Sequence, residues 1–159
     1  MLFRSLFDVV NRFRGLKYRQ QIILKNKNFS IINDSKSTSY SSSIEMLKRK
    51  KNIYWLMGGI PKKGDKFNLS KNDCWNIKGY IFGINQKKFS LDLKKKIKIK
   101  KFFNLSKALN ELFKDVKKDN SSNKTILFSP AAASFDNFKN FEDRGKYFNR
   151  LIKKYIYAK

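Results

Sequence analysis

The sequence predicts an α/β domain with a mostly parallel sheet that is covered by helices on both faces. Short apolar runs that suit buried strands alternate along the chain with segments of helical periodicity. The length of 159 residues and the hydrophobic content of 41% suit one globular domain with its own core. Glycines or polar residues follow most of the apolar runs directly, as they do where the strands of such a sheet end in loops.

Apolar runs bounded by turn residues predict six strands. They are residues 21–24, 29–33, 53–57, 77–82, 97–102 and 125–128. The first two flank a short polar turn, and the third is apolar throughout, as a buried parallel strand should be. The fifth has only a weak pattern.

Helical periodicity predicts three helices that cover this sheet. The first has Ser42 and Glu45 at the spacing of a capping box, with its start at Ser42 or a few residues earlier. The second spans residues 104–118, with its apolar side chains on one face and an asparagine as its cap. The third runs from about residue 136 to residue 157, with a break near Gly145.

The formal net charge of +25 makes nucleic acids and anionic membranes the first partners to consider. Only seven of the 37 basic residues are arginine, and the lysines are spread along the whole chain. Lysine is a solvated point charge rather than a planar fork that reads bases. We therefore predict a solvated basic surface without a nucleic acid partner. The alternative is a basic nucleic-acid-binding module, which would gather its lysines on one face.

The residue inventory excludes several kinds of chemistry. The chain has no histidine and only one cysteine, Cys74, which excludes Ser-His-Asp triads, Cys/His zinc sites and disulfides within the chain. A G-x-x-x-x-G-K-[ST] loop that would cradle a triphosphate is also absent. No apolar run approaches the roughly 18 residues of a membrane span, so we expect no span. A single cysteine favours a reducing compartment, and we expect a cytoplasmic protein.

Polar or small residues follow three of the predicted strands, at Asp34, at the glycine pair 58–59 and at residues 129–134. The carboxyl ends of parallel strands share one edge of a sheet, where ligands gather. The stretch after the last strand is expected to open a helix through Asp136, with the hydroxyl of Ser134 beside the helix start. Such a start attracts anions. A tight turn inside an α/β core is the alternative.

From the residues alone, each candidate side chain at this edge has two interpretations. Lys36 and Thr38 can meet phosphate oxygens, whereas Asp34 can hold a ribose hydroxyl, a cation or Lys36 itself; the alternative is an Asx-type turn that caps the next helix. Arg19 can contact a base or a phosphate, or lie on the surface without a ligand. Lys62 can reach the same cleft or remain solvated. The rings of Phe138 and Phe141 suit a core.

Three blocks of sequence carry a resemblance to a known family. Residues 32–38 read I-N-D-S-K-S-T, residues 53–62 read I-Y-W-L-M-G-G-I-P-K, and residues 129–145 read S-P-A-A-A-S-F-D-N-F-K-N-F-E-D-R-G. In this order they closely resemble the C-terminal signature of the Mur ligases, in particular the members that add D-glutamate. The resemblance extends from about residue 15 to the C terminus and implies the Rossmann-like C-terminal domain of that family.

The resemblance implies roles for seven residues. The positions that match D-glutamate ligands of the family are Lys62, Ser134, Phe141 and Thr38. The positions that match nucleotide and phosphate ligands are Arg19, Asp34 and Lys36. Lys63, which is adjacent to Lys62, is an alternative for the lysine that binds a carboxylate of D-glutamate. A lysine and a helix start together suit a dicarboxylate substrate.

The family reaction is ATP-dependent amide formation, in which the carboxylate of UDP-N-acetylmuramoyl-L-alanine is phosphorylated and then attacked by the amine of D-glutamate. The family uses Mg²⁺, bound mainly by a central domain. We therefore expect residues 1–14 to be the end of that ATP-binding domain and residues 15–159 to be the C-terminal domain. A basic amphipathic membrane or targeting helix is the alternative for residues 1–14.

The sequence lacks the family's N-terminal and central domains, so we expect a fragment that does not catalyse the ligation alone. A non-catalytic remnant of the family is the other alternative.

Overall fold

Six strands form one sheet in the computed structural model, which describes residues 15–157. The strands are β1 (Gln21–Lys25), β2 (Phe29–Asn33), β3 (Ile53–Gly58), β4 (Ile77–Phe82), β5 (Lys98–Phe102) and β6 (Lys124–Phe128). The helices are α1 (Tyr40–Arg49), α2 (Gln86–Leu93), α3 (Leu105–Lys118) and α4 (Phe141–Tyr157). Residues 1–14, predicted to be the end of the ATP-binding domain, lie outside the described residues.

The sheet order is β1-β2-β6-β3-β4-β5, and β1 is the strand that runs antiparallel to its neighbour. Strands β2, β6, β3, β4 and β5 pair in parallel, with registers such as Ile31 opposite Ile126 and Trp55 opposite Leu127. This confirms the predicted α/β class with a mostly parallel sheet. All six predicted strands are present, with ends that differ from the predicted ones by one residue at most.

The core lies in two layers, one on each face of the sheet. Trp55 and Met57 of β3 pack with α1 and α2 on one face, whereas Tyr54 and Leu56 pack with α3 and α4 on the other. Because β3 lies inside the sheet and is covered on both sides, every one of its residues is buried. This explains the continuous apolar run in the sequence.

Helix α1 begins earlier than the capping-box spacing of Ser42 and Glu45 indicates. Ser39 is the N-cap, and its hydroxyl accepts the backbone N–H of Ser42 at 3.3 Å. The Ser42 hydroxyl in turn accepts the backbone N–H of Ser39 at 3.2 Å, which completes a capping box. Serine can serve at both positions, and Glu45 takes no part in the box. Helix α2 was not predicted, because its eight residues bury only Phe89 and Leu93 and give little periodicity.

The prediction for the last helix is wrong at two points. Helix α4 begins at Phe141 rather than near residue 136, and residues before it form turns in which the carbonyl of Ser134 accepts N–H groups from Asn137 and Phe138 at 3.3 and 3.0 Å. The helix also continues through Gly145 without a break. A β-carbon at Gly145 would overlap the ring of Tyr18, so this glycine makes room for a buried tyrosine.

We predict that Gly145→Ala destabilises the domain, although alanine in a helix interior normally gains about 1 kcal/mol over glycine. The new methyl group would displace the Tyr18 ring, at a cost of about 1–3 kcal/mol. Urea unfolding of the single variant, and of the same change in a Tyr18→Ala background, measures the effect. The cost should disappear in the second background, and stabilisation of the single variant would contradict the packing described.

Candidate functional site

Three loops meet at the carboxyl edge of the sheet, because β2, β6 and β3 are neighbours there. The N–H of Asp34, just past β2, donates to the carbonyl of Phe128 at the end of β6, at 2.7 Å. Past β3 and β6, Ile60 and Ala133 exchange two backbone hydrogen bonds of 2.9 Å. The loops that carry the three sequence blocks therefore form one continuous surface.

Gly59 allows the loops after β3 and β6 to touch. Its φ of +130° is a conformation that side chains disfavour, and a β-carbon there would overlap the carbonyl oxygen of Ala133. The amide of Asn85 donates to the Gly59 carbonyl at 2.9 Å and holds the peptide from the other side. The glycine pair of the second block thus has a close-packing role.

Arg144 is fully buried and binds all three loops. Its Nε donates to the Ser35 hydroxyl at 3.1 Å, and its Nη2 donates to the Ser35 carbonyl at 2.8 Å. Its Nη1 donates to the carbonyls of Ala132 at 3.0 Å and Gly58 at 3.4 Å. One guanidinium on α4 therefore fixes the chain just past β2 and β6 and at the last residue of β3.

The Arg144 guanidinium also brings a positive charge to this edge. Burial lowers its pKa to about 10, against the attraction of the nearby Asp136 carboxylate, so the group stays protonated at neutral pH. Sequence reasoning gave this residue no role. The third block ends in F-E-D-R-G, and its arginine is Arg144. This residue lies about one turn into the amphipathic helix α4, on the side that faces the core, and that position indicates a structural role.

Asp34 is a buried carboxylate at this edge, and a chain of hydroxyl groups extends from it. Its Oδ1 accepts the backbone N–H of Gln20 at 3.1 Å, and its Oδ2 accepts the hydroxyl of Ser129 at 3.0 Å. The Ser129 hydroxyl lies 2.8 Å from that of Ser43, which lies 2.7 Å from that of Ser37. Burial raises the pKa of Asp34, and the bonds from Gln20 and Ser129 oppose that rise.

Asn33 and Ser35, on either side of Asp34, serve the fold. The Asn33 side-chain amide donates to the Gly145 carbonyl at 3.0 Å and to the Asn149 side chain at 2.7 Å. Its oxygen accepts the Ser35 N–H at 3.0 Å, which is an Asx-type turn. The first block therefore contains an Asx-type turn beside the buried Asp34, but this turn does not cap the next helix, because the N-cap of α1 is Ser39.

Lys36 and Phe141 lie together. The Lys36 ammonium is 3.8 Å from the centre of the Phe141 ring, a cation–π contact, and the Ser35 hydroxyl donates to the Phe141 carbonyl at 2.8 Å. Asp34, Lys36 and Arg19 also line one open groove of about 580 Å³. The structure thus brings together the three residues that are predicted to bind the nucleotide. One of them, Lys36, contacts Phe141, which is predicted to bind D-glutamate.

The remaining predicted residues occupy the same edge in different environments. Thr38 and Lys62 are exposed, as is Lys63, whereas Ser134 is buried past β6. Both lysines follow the loop that Gly59 holds against Ala133. Phe138 and Phe141, expected in the core, are only half-buried, and the Phe138 ring lies 5.6 Å from that of Tyr147.

The described part of the chain contains no cluster of three histidine, cysteine or carboxylate side chains that could hold a metal ion. None of the helices between residues 15 and 157 combines the length and apolar character that a membrane crossing requires.

We predict that Arg144→Met destabilises the domain by about 3 kcal/mol or more. At least two buried carbonyl oxygens would lose their donor, at about 1–3 kcal/mol each. The matched control is Arg150→Met on the exposed side of the same helix, which should change the unfolding free energy by no more than about 0.5 kcal/mol. Equal effects of the two changes in urea unfolding would contradict the role given to Arg144.

We predict a pH-dependent difference between the wild type and Asp34→Asn. A carboxyl group whose pKa is raised by folding stabilises the folded state below its unfolded value of 3.8, and this contribution is lost as the pH rises through the folded value. The unfolding free energy of the wild type minus that of the variant should therefore fall as the pH rises from acid towards neutral. A rise over that interval would show that the folded pKa is lowered instead.

No protein-family model matches the chain. It is 34% identical over 152 residues to the UDP-N-acetylmuramoylalanine--D-glutamate ligase of Rickettsia felis, which covers 96% of this chain and 34% of that protein. It is 36% identical over 150 residues to the ligase of the same name from the Wolbachia of Brugia malayi, over 94% of this chain and 30% of that protein.

Among solved structures, the UDP-N-acetylmuramate-alanine ligase of Thermotoga maritima matches with a TM-score of 0.57. The match covers 99% of this chain and 36% of that protein at 18% identity, so it supports the fold. The chain spans about a third of the length of the curated relatives that it matches. Nearly all of it aligns with ligases of one name, and its fold is that of a segment of a related ligase. The chain therefore belongs to the Mur ligase family, and nearly all of it is similar to about a third of the length of ligases named UDP-N-acetylmuramoylalanine--D-glutamate ligase.

Proposed function

We propose that this chain is the C-terminal, D-glutamate-binding part of a cytoplasmic ligase that adds D-glutamate to UDP-N-acetylmuramoyl-L-alanine at the expense of ATP. The observation that carries the proposal is the convergence of the three family blocks on one edge of the sheet, where Arg144 binds each of their loops. A loop surface held this rigidly suits the positioning of two reactants. In this proposal residues 1–14 are the end of the central domain.

The groove beside Asp34 suits the phosphates of a nucleotide. Arg19 and Lys36 supply two cations at its rim, and the hydroxyl of Ser42 lies in the same lining. Cations at this position favour the negative charge that develops when a phosphoryl group is transferred. Asp34 is held by Gln20 and Ser129 and is suited to accept a ribose hydroxyl. Bound ATP would supply the phosphoryl group that activates the acyl carboxylate.

The loops after β3 and β6 suit D-glutamate. Lys62, with Lys63 as the alternative, offers an ammonium group to the side-chain carboxylate of D-glutamate. Ser134, which follows Ala133 in the loop after β6, is also proposed to contact this substrate. Phe141 and Thr38 complete the set proposed for this substrate. The amine of D-glutamate would attack the phosphorylated acyl carbon, so that the new N–C bond forms as the C–O bond to phosphate breaks.

The cation–π contact between Lys36 and Phe141 links the two proposed subsites, because one residue serves the nucleotide and the other serves D-glutamate. The family resemblance implies that the Mg²⁺ of the reaction would be held mainly by the central domain. The sequence also lacks a triphosphate loop. We therefore propose that the ligation requires the N-terminal and central domains in addition to these residues, and that domain closure assembles the site.

A coupled phosphate-release assay tests the proposal. The 159-residue chain is combined with the N-terminal and central domains of a matching ligase, ATP, Mg²⁺, UDP-N-acetylmuramoyl-L-alanine and D-glutamate. Phosphate release should require both protein pieces and D-glutamate. Release that is independent of this chain, or no release by a folded pair, would contradict the proposed function. Robust ligation by the chain alone would contradict the need for the other domains.

Two lysine variants separate the subsites in that assay. Lys36→Ala should lower kcat about 100-fold, since it removes a charge that acts on the phosphoryl group. Lys62→Ala should mainly raise the KM for D-glutamate, by about 10- to 100-fold, the usual worth of a hydrogen bond to a charged group. Lys107→Ala, on the exposed side of α3, is the control. A larger effect of Lys63→Ala than of Lys62→Ala would assign the binding of the D-glutamate carboxylate to Lys63 instead.

A further inference from the structure

We propose that a lysine-lined groove at the amino-terminal edge of the sheet binds single-stranded nucleic acid. This groove of about 960 Å³ lies where β4 and β5 begin, at the edge opposite the candidate site. Six lysines line it, and they are Lys71, Lys78, Lys94, Lys95, Lys96 and Lys98. The exposed indole of Trp75 lies in the same lining.

The lining of the groove combines cations with one exposed aromatic ring. Lys94, Lys95 and Lys96 directly follow α2, and Lys98 opens β5. Trp75 follows a short turn, and its side chain is 80% exposed. The cations would hold the phosphate backbone, and the ring of Trp75 would stack on a base. Cations along a groove with an aromatic stacking surface are the usual elements of single-strand binding.

Most of these cations are available to a ligand. Lys78 is paired with Asp119 at 2.7 Å, and the Lys96 ammonium donates to the carbonyl of Phe67 at 2.9 Å. Within residues 15–157, Lys71, Lys94, Lys95 and Lys98 take part in no ion pair. The nearby Asp73 is an exposed carboxylate that accepts the hydroxyl of Ser70 at 2.7 Å and reduces the positive potential in part.

The shape of the surface favours a strand over a membrane. A bilayer surface would meet a convex or flat face, whereas the lysines here line a concavity with one ring at its border. Lysines are point charges without the planar fork that reads base edges, so the binding should be independent of sequence. The sequence alone does not reveal this arrangement, because the lysines are separated along the chain. Only the fold brings residues 71–78 and 94–98 together.

The test is a fluorescence-anisotropy titration of a labelled single-stranded oligonucleotide of about 12 nucleotides with the full chain at several salt concentrations. The groove variant is Lys94→Ala/Lys95→Ala/Lys98→Ala. Its control is Lys87→Ala/Lys101→Ala/Lys107→Ala, which removes the same charge from other faces. The groove variant should lower the slope of log affinity against log salt by about 2, at about 0.7 per lost phosphate contact. Equal losses in both variants would show diffuse attraction by net charge and overturn the proposal.

Trp75 gives a second, independent measurement, since Trp55 is fully buried. Oligonucleotide should quench the fluorescence of Trp75, and Trp75→Ala should weaken binding on the order of tenfold through loss of stacking. Phe103→Ala, at another exposed aromatic, is the control. Quenching by poly-glutamate to the same extent would overturn the proposal, because that polyanion has no bases. Groove-dependent binding to anionic phospholipid vesicles without binding to the oligonucleotide would overturn it in favour of a membrane.

The proposal is independent of the ligase reaction, since its residues lie at the opposite edge from those of the candidate site. Phosphate release in the reconstituted assay should therefore be unchanged in the groove variant. A failure of either experiment leaves the other interpretable.

Discussion

The buried guanidinium of Arg144 is the interaction on which the carboxyl edge depends. Its bonds to Ser35, Gly58 and Ala132 join three loops that are far apart in sequence. A buried charge is costly unless its donors are matched, and carbonyl dipoles and a hydroxyl supply the match here. The loops after β2, β3 and β6 are consequently held together, and six of the seven proposed site residues lie on these loops or at the start of α4, whereas Arg19 lies just before β1. Gly59 and Gly145 make two of the close approaches in this arrangement.

The sequence was most informative where one physical effect dominates. Burial on both faces gives β3 its unbroken apolar run, and a wide apolar face with an asparagine cap gives α3 its clear periodicity. It was least informative where tertiary contacts override local preference. A glycine such as Gly145 suggests a helix break, and only the structure shows that it makes room for the ring of Tyr18. Helix α2 buries too few residues to give a periodic apolar pattern. Helix α4 begins later than predicted because the chain first forms turns in which the Ser134 carbonyl accepts the N–H groups of Asn137 and Phe138.

The location of the candidate site could be predicted from the sequence, but only some of the contacts among its residues could. Strand ends at Asp34, Gly58 and Ser129 indicated a shared edge, and the structure places them there. The hydroxyl chain from Asp34 through Ser129 and Ser43, and the contact of Lys36 with Phe141, depend on residues more than 80 positions apart in sequence. Periodicity and spacing carry no information on such contacts. The ligand roles of the seven predicted residues rest on the family resemblance and stay predictions.

The most direct test of this account is an amide chemical-shift titration of the isotope-labelled chain with D-glutamate, with L-glutamate as the control. If the edge held by Arg144 is a D-glutamate site, the amide signals of Lys62, Ser134 and Phe141 should shift with the D-enantiomer and respond less to the L-enantiomer. Signals at the amino-terminal edge, such as those of Lys95 and Lys98, should respond equally to both. Equal responses to both enantiomers at the carboxyl edge, or shifts confined to the lysine groove, would contradict a stereospecific site.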